Sequence, residues 1–240
     1  MLRHSFAGLL AASLLTTAAS ATIVSFQDGV SGYNGTRDTQ IRSADSNANY
    51  GFEDAISVDG DDGSPGLQPN HGLIRFENIF GAGPGQIPLG STINSATLAI
   101  NIFNPGSGFT GYRITAAWTE GTVTWNNFGS ANNGAQVGVD TLASSLFSIG
   151  ANDGIENIPN GIRNLTITDA VQAWSNGADN LGIALVPFTN GTNGIDFDTR
   201  EWAEVATRPQ LTVDYTLVPE PASLALLAIG TGAMLLRRRG

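Results

Sequence analysis

The chain has 240 residues with 21 acidic and 11 basic side chains, no lysine, no cysteine and a formal net charge of −10. That balance speaks against nucleic acid or an anionic membrane surface as a partner, and without lysine there is no Schiff-base or pyridoxal phosphate chemistry. Without cysteine there are no disulfides, so a glycine-rich chain (30 glycines) must hold itself by core packing or bound cations.

Read from the N-terminus, Arg3 and His4 precede an apolar stretch over 6–18, and Ala19-Ser20-Ala21 offers a small-x-small cleavage pattern. This is the layout of a secretory signal peptide, so 1–21 is expected to be removed by signal peptidase and the mature chain to start at Thr22. Short β-branched runs follow at 22–26, 39–42, 55–58, 72–76, 95–103, 111–115, 122–125, 162–168, 181–186, 194–197 and 210–217. Turn pairs such as Asp28-Gly29, Asn34-Gly35, Asp59-Gly60 and Asn133-Gly134 separate them. The pattern predicts an all-β antiparallel sandwich over 22–217, a natural size for one domain. One segment, 169–176, reads as a helix: Thr168 is its expected N-cap, Ala170, Val171 and Trp174 share a face, and Gly177 can close it. That helix is expected to plug one end of the sandwich. The stretch 81–90 reads as a flexible Gly/Pro connection, and no strand is predicted within 129–160.

The last 23 residues, 218–240, read as an address. Pro219, Glu220 and Pro221 precede an apolar run that ends in Arg237, Arg238 and Arg239. As a helix the fifteen residues 222–236 would reach only about 22 Å, against roughly 30 Å of bilayer hydrocarbon. The arginines should stay on the cytoplasmic side, which places the rest of the chain outside. The tail resembles the PEP-CTERM sorting signal of Gram-negative bacteria. That resemblance implies transient inner-membrane anchoring, cleavage by an exosortase, and a mature protein released or attached at the cell surface, at the outer membrane or in the extracellular matrix, with membrane contact only through the tail. An ordinary C-terminal anchor is the alternative.

Further marks lie within the predicted domain. Asp38-Thr39-Gln40-Ile41-Arg42, Asn49-Tyr50-Gly51, Gly72-Leu73-Ile74-Arg75-Phe76 and Ile93-Asn94-Ser95-Ala96-Thr97-Leu98 are followed by the segment from Trp118 to Asn126, then Asp169-Ala170-Val171-Gln172-Ala173-Trp174, Asn180-Leu181-Gly182-Ile183 and Arg208-Pro209-Gln210-Leu211. In this order they resemble DNRLRE domains, which are related to disaggregatase and alginate-type carbohydrate-binding modules. The resemblance spans about 23–215 and implies a jelly-roll β-sandwich, commonly non-catalytic and associated with polysaccharide.

Aromatic faces match the C–H face of a pyranose, so Trp202, Trp118 and the loop residue Tyr33 are the sugar-stacking candidates, with Trp202 first. Trp125 and Trp174 are read as core. Hard oxygen ligands suit calcium. One candidate site combines Asp38, Asn47 and Asn49, joined by Glu201 from a distant strand. Another uses Asp59 and Asp61 in Asp59-Gly60-Asp61-Asp62-Gly63, although Gly63 breaks the EF-hand pattern. Solvated acidic turns are the plain alternative for each. After signal removal His71 is the only histidine, which argues against zinc and against a Ser-His-Asp triad. Glu120 and Glu201 are the carboxylates to consider for glycoside hydrolysis, although Glu120 is expected to cap a turn or pair with Arg113. The leading expectation is an exported, non-catalytic protein that binds or scaffolds extracellular polysaccharide in a biofilm matrix. A polysaccharide lyase or hydrolase, and a structural surface protein without sugar binding, are the alternatives.

Overall fold

In Gln210–Thr216 the side chains of Leu211, Val213 and Tyr215 are buried while Gln210, Thr212, Asp214 and Thr216 point away from the core. A period of two with one apolar face is the pattern of a strand half-covered by a second layer. The computed structural model describes residues 20–62, 66–130, 133–152, 157–189 and 193–218. The signal peptide and sorting tail read from the sequence lie outside these, apart from Ser20, Ala21 and Val218.

Among the described residues eleven strands and one α-helix follow in chain order: β1 (Ala21–Gln27), β2 (Thr36–Arg42), β3 (Ala55–Val58), β4 (Asn70–Phe76), β5 (Thr92–Asn104), β6 (Phe109–Ile114), β7 (Thr141–Ile149), β8 (Gly161–Thr166), α1 (Thr168–Ser175), β9 (Ile183–Pro187), β10 (Ile195–Asp198) and β11 (Gln210–Thr216). They form two antiparallel sheets. Sheet A runs β1-β11-β5-β10-β3, with β8 added to β5, and sheet B runs β2-β4-β9-β6-β7. From β1 to β6 successive strands alternate between the sheets, the crossing habit of a jelly roll. The all-β sandwich expected from the sequence is the observed architecture.

Between the sheets lies the main core, in which Phe109, Phe197, Ile56, Leu98, Ile100 and Ile102 are fully shielded from solvent. Each such side chain contributes about 1.5–3 kcal/mol by leaving water. A second cluster sits on the outer face of sheet B. There Trp118, Val123, Phe128 and Ala135, from the connection between β6 and β7, fold back over Ile41, Leu73, Ile114 and Ala184. Sheet B is thus covered on both faces, which leaves the outer face of sheet A as the broad open surface.

The predicted strand over 122–125 is absent. Its backbone closes turns instead, with the N–H groups of Thr122 and Val123 donating to Thr119 O, and that of Phe128 to Thr124 O. The alternation of Val123 and Trp125 reflects two anchors dropped onto sheet B, not a strand with a partner. Conversely, β7 lies in the stretch with no predicted strand. Its Ser/Ala-rich sequence has β-branched residues only at its two ends, Thr141 and Ile149, and its pairing with β6 makes it an edge strand.

The helix begins one residue earlier than expected, and Thr168 does not cap it. Its Oγ1 accepts the Ala96 N–H at 3.0 Å, while Gln172 Oε1 accepts that of Ile93 at 2.8 Å. The helix therefore lies along the first half of β5, satisfying donors that β8, paired only from Thr97 onward, leaves free. Gly177 does close it, in the left-handed region at φ +96. The 81–90 connection is anchored by Ile87, which is fully buried and pairs with Phe80.

Candidate functional site

The carboxylates on β2 and in the loops around it converge on one guanidinium. Arg200, just after β10, donates from Nε to Glu120 Oε1 at 2.9 Å and from Nη2 to Glu120 Oε2 at 3.0 Å. It also reaches Glu201 Oε1 at 2.7 Å and Asp28 Oδ2 at 3.7 Å. Its backbone N–H donates to Asp38 Oδ2 at 2.9 Å, and the Asp38 N–H donates to Glu120 Oε1 at 2.9 Å. Burial works against the charge of Arg200, yet the hydrogen bonds and charge of Glu120, with Glu201 and Asp38, outweigh it and raise its pKa.

Asp38 is almost wholly buried. Burial, and then the charge of Glu201, push its carboxyl well above the usual range. Glu201 is raised by burial and by Glu120, against the pull of Arg200. Asp38 Oδ1 and Glu201 Oε2 are buried with no hydrogen-bond partner.

A raised carboxyl binds its proton more tightly in the folded state, so its share of stability is present in acid. That share is lost as pH climbs from the unfolded value of about 3.9 through the folded one. Asp38→Asn is accordingly expected to gain in melting temperature over the parent as pH rises from 5 to 8. Parallel melting curves across that range would refute this.

The sequence placed Asp38 with Glu201, and the structure brings those two together. It does not bring Asn47 or Asn49 to them. Asn49 Nδ2 donates to the carbonyls of Glu120 and Val123, each at 2.7 Å, and Asn47 Oδ1 accepts from Asn126 Nδ2 at 2.9 Å. Both asparagines fasten the 118–127 connection. Gly51 allows the close approach, since a Cβ there would lie 2.2 Å from Glu120 O. Glu120 pairs with Arg200, and not with Arg113 as expected, because β10 delivers Arg200 directly onto β2.

Asp59 and Asp61 close the β3–β4 turn. Asp59 Oδ1 accepts the Asp61 N–H at 2.9 Å and Asp61 Oδ1 that of Gln68 at 3.3 Å, while the neighbouring Asp62 pairs with Arg42. Among the described residues no group of three or more acidic, histidine or cysteine side chains is disposed to hold a metal. His71 is buried, which lowers its pKa to about 4, and its Nδ1 accepts the Ala135 N–H.

The aromatic candidates part company. Trp118 is only 7% exposed. Its Nε1 donates to Leu181 O at 2.8 Å and the Arg75 guanidinium sits 4.8 Å from its ring, so it is a packing residue without an open face. Tyr33 is half-buried, tilted against Phe26 at 5.3 Å, and donates to Glu77 O at 2.9 Å; burial and then Asp28 raise its phenol pKa. It borders an open hollow of about 590 Å³ beside β1, with Ile23, Val30 and Pro84. Trp174 is core, as expected, and Trp125 is partly buried against His71 at 4.9 Å.

Trp202 is different. Its indole is half-buried and lies nearly parallel to the ring of Phe103, with centroids 5.6 Å apart and planes 15° from parallel. Phe103 stands on the outer face of sheet A and is 40% exposed. The Arg208 Nε–H donates to Trp202 O at 2.7 Å, holding the segment onto the sheet. Two residues back along β5, on the same face, is Asn101, which donates to Asp198 at 2.8 Å, and one residue on, Asn104 donates to Asp196 at 2.9 Å. A crevice of about 60 Å³ lined by Gln27, Ala99, Asn101, Ile162, Arg208 and Gln210 continues along the same face.

Phe103 and Arg200 escaped the sequence reading. For Phe103 a signal was present: with Ile100 and Ile102 inward, parity puts it outside, and an aromatic on an outward position calls for a role. Arg200 carried none, since its partners are scattered along the chain.

A two-sheet sandwich with paired aromatics on an open sheet face, flanked by carboxamides and carboxylates, has the build of a carbohydrate-binding module. The sequence profile of carbohydrate-binding module family 96 matches residues 30–215, from just before β2 to the end of β11, and the chain belongs to that family. No curated protein matches it.

Proposed function

We propose that this protein binds extracellular polysaccharide without turning it over, through the outer face of sheet A around Phe103 and Trp202. The carrying observation is that stacked, half-open pair: rigid aromatic faces gain contact with sugar C–H groups at little entropic expense, while Asn101, Asn104 and Asp196 can take up hydroxyls. The glutamates weighed for hydrolysis, Glu120 and Glu201, both bond to Arg200 inside the domain, which suits a structural role for them. Export through the signal-peptide pattern, and sorting by an exosortase through the tail, would set the domain on the surface or in the matrix of a Gram-negative cell.

The test is a screen of the protein against a glycan panel, followed by incubation of each bound polymer and sizing of the product. Binding with unchanged chain length is the expected result, and shortened chains would make the protein an enzyme. Repeating the screen with calcium tests a structural cation held by Asp38 and Glu201, which should raise the melting temperature in the parent and not in Asp38→Asn.

A further inference from the structure

Resting on the carbohydrate-binding reading, we infer that the aromatic pair is one end of a longer track, and that the outer face of β5 holds the interior of a linear, extended polysaccharide laid along the strand. Affinity then grows with chain length beyond the sugar that stacks on Trp202. The strand itself supplies the geometry. Its inward residues are Ile102, Ile100, Leu98 and Ala96, so Phe103, Asn101, Ala99, Thr97 and Ser95 share the outer face. From Phe103 to Ser95 that row covers roughly 26 Å at about 3.3 Å per residue, room for several sugar rings in file. Both of its ends are open, since Asn104 and Ser95 are exposed.

The row forms the floor of a shallow groove. Ala99, Thr97 and Ser95 lie opposite Gln210, Thr212 and Asp214 on β11, while Asn101, Ala99 and Thr97 lie opposite Ile162, Asn164 and Thr166 on β8. Small side chains thus run down the middle between longer ones. Next to the aromatic pair the groove narrows into the crevice of about 60 Å³, floored by Ala99 and Asn101 and walled by Ile162 on one side and Ala206, Thr207 and Arg208 on the other. That is space for a few waters. It takes an exocyclic substituent, and the ring that bears it lies above.

The same turn gives the chain its direction. Gln27 Nε2 donates to Arg208 O at 2.8 Å and Gln210 Nε2 donates to Gln27 Oε1 at 3.2 Å, which fastens 206–208 over β11 and closes the sideways route there. Past the crevice the rim is polar and already held in place: Thr212 Oγ1 and Ser25 Oγ share a hydrogen bond at 3.0 Å, and Asp214 Oδ1 accepts from Asn94 Nδ2 at 3.0 Å. Groups fixed before binding lose little freedom when a sugar hydroxyl meets them. A chain that stays extended keeps contact along this rail, whereas one that coils or branches leaves it after the first rings.

Titration calorimetry of the full-length protein in mild detergent tests this with two ladders, β-1,4-linked glucose and β-1,4-linked mannuronate oligosaccharides, from disaccharide to hexasaccharide. In the series that binds, the hexasaccharide is expected to bind at least tenfold more tightly than the disaccharide. Ala99→Leu, which fills the crevice, and Thr97→Leu, which raises the floor beyond it, should each weaken the hexasaccharide at least threefold and leave the disaccharide within twofold, with melting temperatures showing that both variants fold. Equal affinity for short and long chains, or variants that spare the hexasaccharide, would make the pair a site for a single sugar and overturn the inference while the carbohydrate-binding reading stands. Failure of both ladders while a polymer of the glycan panel binds would do the same. Failure of every polymer as well would overturn both.

Discussion

Arg200→Ala is expected to destabilise the domain by about 3–5 kcal/mol near neutral pH, the usual cost of stripping one partner from a buried ion pair. For a domain of this size each kcal/mol moves the melting temperature by roughly 2–4 °C, so a fall on the order of 10 °C should be seen. The reason is the company Arg200 keeps. Glu120 and Asp28 are 6% exposed and Asp38 is 1% exposed, and all three point at or hydrogen-bond to that one residue. Without the guanidinium, the buried carboxylates repel one another and only Arg37, its Nε 4.0 Å from Glu120 Oε2, is left beside them. The deficit should shrink as pH falls, because burial already favours the protonated form of Asp38. Adding Glu120→Gln to Arg200→Ala should recover part of the loss, which denaturant titration of the two single variants and the double variant would measure. A loss below about 1 kcal/mol at pH 7 would mean that water screens the cluster and that Arg200 does not organise it.

Trp202→Ala should weaken glycan binding by about 2 kcal/mol, roughly thirtyfold in Kd, the size expected of an aromatic anchor. Its melting temperature should move little, because Trp202 belongs to neither core cluster. Phe103→Ala should cost binding similarly, since each ring positions the other. Measuring Kd and melting temperature on the same variants separates lost contact from lost fold. Undiminished affinity in Trp202→Ala would move the binding face elsewhere, with the hollow beside Tyr33 as the next surface to examine.

Most strands could be read directly. In β11 and β5 the alternation of apolar and polar residues is a property of neighbouring residues, as is the turn chemistry of pairs such as Asp59-Gly60. Where the reading failed, the missing information was tertiary. β7 is a strand because β6 offers it an edge, not because Ser144, Ser145 and Ser148 favour one. The 122–125 run is not a strand because both its alternating anchors are bound by the face of sheet B. Thr168 forgoes its cap because β5 presents an unpaired N–H within reach.

For the candidate site the division is similar. The sequence alone determined an acidic, lysine-free, cysteine-free chain, its β-sandwich class, and Trp202 as an aromatic within a polar segment. Only the tertiary structure decided that Trp118 is packing, that Phe103 completes the aromatic pair, and that Arg200 gathers the carboxylates. The physical reason is separation along the chain. Alternation and turns act over a few residues, whereas Asp38 meets Arg200 across 162 positions, Arg200 meets Glu120 across 80 and Asn49 meets Glu120 across 71. Those meetings are set by the order in which strands cross between the two sheets, which no local pattern encodes.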